Sequence, residues 1–265
     1  MKLHCLALAV MVGVPAWADT IAYSSLPVLL PPNVPSLAYE ASSVNEFGDL
    51  VELANGPAVL QSATVGMSDW ALESDYGSAG ELGGSTLTAA GFTIPLTLNL
   101  YNVGAGNSVG SVIGSYEIAD AFIPWRPAAS PDCGTAWLAS DGNCYNGLLS
   151  TVTFDLPAVS VPGEFIYGLA FNTADYGYSP THVRGPYNSL NFALILAPPS
   201  VGSNPQGGLG YWSTSSVTPM SQVNTGGYIG EIEFGSTPEP AGIALTGMGL
   251  LGLCLGVRRA RLRAR

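Results

Sequence analysis

Phe92-Thr-Ile-Pro-Leu-Thr-Leu-Asn-Leu-Tyr-Asn-Val103 is the stretch on which the fold class turns. Ile94, Leu96, Leu98 and Leu100 fall on one side of an extended chain, and Thr93, Thr97 and Asn99 on the other. A period of two gives a strand one apolar and one polar face, whereas a helix would repeat its apolar positions every three to four residues. Pro95 has no N–H to give to a ladder, so it is expected at a sheet edge or at the start of the strand.

The same alternation spreads outward from this strand. In residues 58–70, Ala63, Val65 and Met67 oppose Ser62, Thr64 and Gly66; in 149–156, Val152 and Phe154 oppose Thr151, Thr153 and Asp155. Residues 165–171 and 190–196 are almost continuously apolar, as strands covered on both faces should be. Shorter runs at 37–40, 47–53, 109–122 and 209–213 complete the set. Residues 228–234 close the domain, with Tyr228, Ile232 and Phe234 expected inward and Glu231 and Glu233 outward. Residues 73–85 read as a glycine-rich acidic loop. Gly, Pro, Asn and Ser clusters separate the runs, and no repeat recurs at a fixed period. The expectation is an all-β ectodomain of about ten strands over residues 19–236, a single β-sandwich or jelly-roll-like fold. Two long connections, 130–146 and 172–187, are candidate functional loops.

Each end of the chain carries a different kind of signal. Lys2 and His4 precede a ten-residue apolar core, Cys5 to Val14, and Ala16 and Ala18 stand at −3 and −1 of a cleavage site before Asp19. Residues 1–18 therefore read as a secretory signal peptide. Residues 237–265 form three blocks: Pro238-Glu239-Pro240, an apolar run over 241–257, and a tail with Arg258, Arg259, Arg261, Arg263 and Arg265. As a helix the run would be about 25 Å long, enough to cross a hydrocarbon core of roughly 30 Å with some thinning or snorkelling. The arginines would then stay cytoplasmic.

In order and spacing these blocks resemble the PEP-CTERM sorting signal of Gram-negative bacteria. The resemblance covers about a tenth of the chain. It implies a membrane-embedded exosortase as processing partner, which recognises Pro238-Glu239-Pro240 and removes helix and tail. It also implies a transient stay in the inner membrane, and then a place at the cell surface or in extracellular polymer.

Loss of both signals leaves Arg126 and Arg184 against eighteen acidic residues, no lysine, and a net charge of −16. Such a surface repels phosphate backbones and anionic lipid, so nucleic-acid binding is excluded. Only Cys133 and Cys144 remain outside the signals. In an oxidising compartment they are expected to form one disulfide, closed through the Asp141-Gly142-Asn143 turn and contributing about 3 kcal/mol in the chain-entropy model.

Motifs for chemistry are absent. There is no G-x-S-x-G elbow, P-loop, G-x-G-x-x-G after a strand or zinc-spaced His/Cys cluster, and His182 is the single histidine of the mature chain. Eighteen acids make some carboxylate pair at glycosidase spacing unavoidable, so such a pair carries no information. The oxygen-rich stretch 69–81 lacks the spacing of a calcium loop. No catalytic residue, metal or cofactor is expected. Trp125, Trp137, Tyr176, Tyr178, Tyr187, Tyr211 and Trp212 lie in or beside turn-rich segments, where exposed rings could stack on sugars. The expected role is structural or adhesive in extracellular polymer. The alternatives are a carbohydrate-binding module acting through these rings and, third, a glycan-active hydrolase.

Overall fold

A computed structural model describes residues 20–215 and 219–237. Residues 1–18, the Ala18–Asp19 junction, Pro238-Glu239-Pro240, the apolar run 241–257 and the arginines at 258–265 lie outside the described residues. Among the described residues no helix is long and apolar enough to cross a membrane.

In chain order the strands are β1 (Thr20–Ser24), β2 (Ser36–Ala38), β3 (Glu46–Glu52), β4 (Ala58–Asp69), β5 (Gly80–Leu82), β6 (Ser85–Thr88), β7 (Gly91–Val103), β8 (Val109–Pro124) and β9 (Trp137–Leu138). They continue with β10 (Cys144–Tyr145), β11 (Leu148–Val161), β12 (Glu164–Phe171), β13 (Leu190–Ile195), β14 (Leu209–Ser213), β15 (Ser221–Asn224), β16 (Ile229–Gly230) and β17 (Ile232–Ser236). One sheet runs β1-β17-β4-β13-β16, with β11 on β4 and β2 on β13. The other runs β15-β14-β3-β12-β7-β6-β5, with β8 on β7. A separate hairpin, β9–β10, holds the excursion between β8 and β11. The two large sheets make a sandwich-like arrangement.

The alternating residues do what their period dictates. Ile94, Leu96, Leu98 and Leu100 of β7 and Ala63, Val65 and Met67 of β4 are buried in one core. Val152 and Phe154 join them from β11, while Thr151, Thr153 and Asp155 stay exposed. Rings lock the sheets together. Phe47 of β3 meets Phe192 of β13 at 5.5 Å between centroids, and Phe165 and Tyr167 of β12 meet Phe234 of β17 at 5.1 and 6.0 Å. The two apolar runs are central, as expected: β12 lies between β3 and β7, and β13 pairs with β4, β2 and β16.

Four expectations need correction. Pro95 is not at a strand start or a sheet edge. It sits inside β7, past Leu96 where pairing with β12 ends, and at a bulge where the register with β8 slips between Ile94 and Leu96. A bulge removes the need for the missing N–H as an edge would. Residues 73–85 are not a plain loop. Glu73–Tyr76 form a helical turn, and Gly83 and Gly84, both at positive φ, make the two-residue turn joining β5 to β6. The strand count rises from about ten to seventeen among the described residues, because short edge pieces flank the long runs.

The fourth concerns Glu231, which does not face solvent. The second edge of β4 is shared: β17 pairs with Leu60–Val65, and β13 with Met67–Asp69. Glu231 lies at the fork, its backbone N–H bonded to Ala193 O and its carbonyl to Gly66 N–H, and its side chain is fully buried. The proline-rich segment 25–35 is fastened around it. Ser25 Oγ donates to Gly230 O at 2.7 Å and accepts from Ile232 N–H at 2.9 Å, and Pro35 O accepts from Leu194 N–H at 2.8 Å. Period-two alternation names a face but not what later covers it.

Phe234 touches Tyr23, Phe165 and Tyr167 and is fully buried. Phe234→Ala is expected to lower stability by about 3–5 kcal/mol, read as a shift in the urea unfolding midpoint with unchanged m.

Candidate functional site

The seven rings singled out from sequence do not share a surface. Trp125, Trp137, Tyr187 and Tyr211 are buried, each at 8 % exposure or less. Their polar atoms are occupied. Trp125 Nε1 donates to Thr88 O and Trp137 Nε1 to Gly147 O, both at 2.8 Å, and Tyr211 OH donates to Asn107 O at 2.6 Å. The Tyr187 hydroxyl bonds Val183 O and Thr181 Oγ1. Trp125 and Tyr187 belong to the inter-sheet core, Tyr211 to a second cluster with Leu50, Ile166 and Met220, and Trp137 is buried in the β9–β10 hairpin, so none offers a free face. Tyr176 and Trp212 are half-buried, and Tyr178 alone of the seven is exposed.

Cys133 and Cys144 form a disulfide with Cα atoms 5.6 Å apart. The chain before the bridge makes a 3-10 turn, Pro131–Cys133, entered through Ser130, and the chain beyond it turns back as β9–β10. Trp137 fastens this hairpin to the sandwich through Gly147.

Trp70 was not singled out, although its phase in β4 marks it. With Ala63, Val65 and Met67 inward, residue 70 belongs to the outward set. Its ring is 44 % exposed, and its N–H donates to Ser68 Oγ at 3.1 Å. Ser68 Oγ in turn donates to Asn33 Oδ1 at 2.7 Å. Gly147 lies against the ring: a Cβ there would stand 2.5 Å from the indole nitrogen. Arg126 Nε donates to Trp70 O at 3.0 Å and its Nη atoms to Thr135 O at 3.3 Å.

Both arginines of the described residues are thus engaged near one end. Arg184 lies 5.5 Å from the ring centroid of Tyr76, which stacks parallel on Trp125. His182 is an exposed loop residue at positive φ. No group of three or more His, Cys, Asp or Glu able to hold a metal occurs among the described residues, and the acids of 69–81 do not gather into one.

Four carboxylates are buried. Glu46 lies on the outer face of its sheet, where Oε1 accepts from Asn99 Nδ2 and Tyr101 OH, both at 2.8 Å. Asn99, placed on the polar face of β7 by its sequence, is buried by this contact. Asp49 faces the inter-sheet core beside Tyr167, with Oδ1 on Leu50 N–H and Oδ2 unpartnered. Asp69 accepts from Ala71 N–H and leaves Oδ2 unpartnered, and Glu231 leaves both oxygens so. Desolvation pushes Asp49 and Glu231 up to about 7, Asp69 well above the carboxylate range, and Glu46 upward.

No protein-family model, no curated protein and no solved structure matches this chain.

A carboxyl whose folded pKa is raised binds its proton more tightly in the native state. Its contribution is complete below the ordinary carboxylate range and is lost as pH rises through about 7. The domain is therefore expected to melt higher at pH 5 than at pH 8 by about 3 °C or more, the shift that roughly 1 kcal/mol gives a domain of this size. Glu231→Gln should raise the pH 8 value and flatten the difference in scanning calorimetry. Equal melting at both pH values would refute the assignment.

Proposed function

We propose that this chain is an exported protein of the cell surface or extracellular matrix, sorted by an exosortase-type C-terminal signal and serving a structural or adhesive role in extracellular polymer. The observation that carries the reading is the succession of Pro238-Glu239-Pro240, the apolar run 241–257 and the arginines at 258–265. The N-terminal signal with its Ala18–Asp19 junction agrees with it. So does the Cys133–Cys144 disulfide, a bond that persists in oxidising compartments.

On this reading the run 241–257 holds the protein transiently in the inner membrane, with residues 19–237 outside. Exosortase then removes helix and tail. The last strand, β17, ends at Ser236, two residues before the tripeptide, so cleavage there leaves every described strand intact. On this reading the role is structural or adhesive and needs no catalytic group.

The second reading, carbohydrate binding, is favoured by one observation, the exposed and fixed indole of Trp70. Binding through the seven rings loses support, since four of them are interior.

The intact mass of the protein recovered outside the cells is expected to correspond to a chain that starts at Asp19 and lacks the residues beyond Pro240. An extracellular form that retains Arg265 would overturn the sorting assignment.

A further inference from the structure

We propose that Trp70 is the stacking platform of a binding site for a neutral saccharide, with the Asn33 amide as its hydrogen-bonding arm. The inference rests on the reading of the chain as a protein of extracellular polymer.

Single exposed apolar side chains are ordinary, and exposure alone says nothing. The surroundings set Trp70 apart. Its indole N–H is tied to Ser68 Oγ, which donates onward to Asn33 Oδ1. Its own carbonyl is held by Arg126, and Gly147 leaves room for the ring edge that any side chain at 147 would displace. The ring therefore has one orientation with its polar atom satisfied. No other ring and no cation stacks on it among the described residues. A fixed ring loses little conformational entropy when a ligand settles on it.

The relay also orients the amide. With Oδ1 of Asn33 taken by Ser68, its Nδ2 is left as a donor with no partner among the described residues. An indole face takes the C–H face of a pyranose, and an N–H₂ group beside it takes a hydroxyl oxygen. The hairpin closed by Cys133–Cys144 buttresses the site, because Trp137 Nε1 is bonded to the carbonyl of the same Gly147.

Charge selects the class of ligand. Between Ile21 and Ser236 two arginines face seventeen acids, and the nearer arginine, Arg126, is already bonded to three backbone carbonyls. A polyanion would be repelled, and so would an anionic bilayer. A neutral sugar is not.

The test uses the secreted protein with its disulfide intact. Affinity electrophoresis through gels carrying the neutral polysaccharide of the producing cells, and indole fluorescence with its hexasaccharide fragments, report retention and the Trp70 environment. Trp70→Ala should weaken binding by about tenfold or more, Trp70→Phe less, and Asn33→Asp by a few-fold. Melting of Trp70→Ala should match the wild type, since the ring is outside the core. Wild-type retention that survives Trp70→Ala unchanged overturns the site and leaves the polymer reading standing. Absence of wild-type retention overturns both, while the sorting assignment keeps its separate test by mass. Trp70-dependent binding to phosphatidylcholine vesicles without sugar binding would also overturn the proposal and assign the ring to a lipid surface.

Discussion

Phe234 stands where the sandwich is held shut. It reaches across to Phe165 and Tyr167 on the opposing sheet and touches Tyr23 on its own. Its strand, β17, lies between β1 and β4, so the last described strand of the domain completes the sheet that the first begins. The fork between β4 and β13, the enclosure of Glu231 and the anchoring of segment 25–35 all follow from that insertion. Without β17 the second edge of β4 would be unpaired over half its length, and the rings of β12 would face water.

The electrostatics follow a different logic from the packing. A domain with two arginines cannot neutralise its acids by pairing, so apart from Glu46, held by Asn99 and Tyr101, its acids are either solvated or in surroundings that favour the proton. The thirteen other carboxylates between Ile21 and Ser236 take the first route and keep the molecule apart from other polyanions. Asp49, Asp69 and Glu231 take the second, held in surroundings that favour the neutral form. Among the described residues the two arginines serve as donors to carbonyls and as a partner to a ring, and the charge of Arg126 offsets only part of the rise at Asp69. Such a surface repels polyanions and leaves uncharged molecules unopposed.

The sequence made some of this legible and left the rest hidden, for physical reasons. Alternation in β7, β4 and β11 reported which side chains turn inward, because that depends only on the strand's own geometry. The continuous runs of β12 and β13 reported central positions in the same way. Asn99 was placed on the right face but is buried there by Glu46, and Glu231 was misread because alternation does not show that its face is enclosed. Loop rings were misread for a related reason. A tyrosine beside a turn signal can fold over the sandwich end or point to water, and contacts such as Tyr211 with Asn107 decide which. Trp70 could have been found, since the phase of β4 continues one residue past its end.

The register of β4 and β17 sets two points of the domain well apart. Ser236 lies opposite Leu60, and Asp69, the neighbour of Trp70, is nine residues farther along β4. At about 3.4 Å per residue the two points stand roughly 30 Å apart along the strands. A pull between Trp70 and the chain leaving at Ser236 would run parallel to β4 and β17. It would load their hydrogen bonds together, in shear, instead of peeling them open one at a time. A sandwich held at those two points would be loaded in its mechanically strong direction.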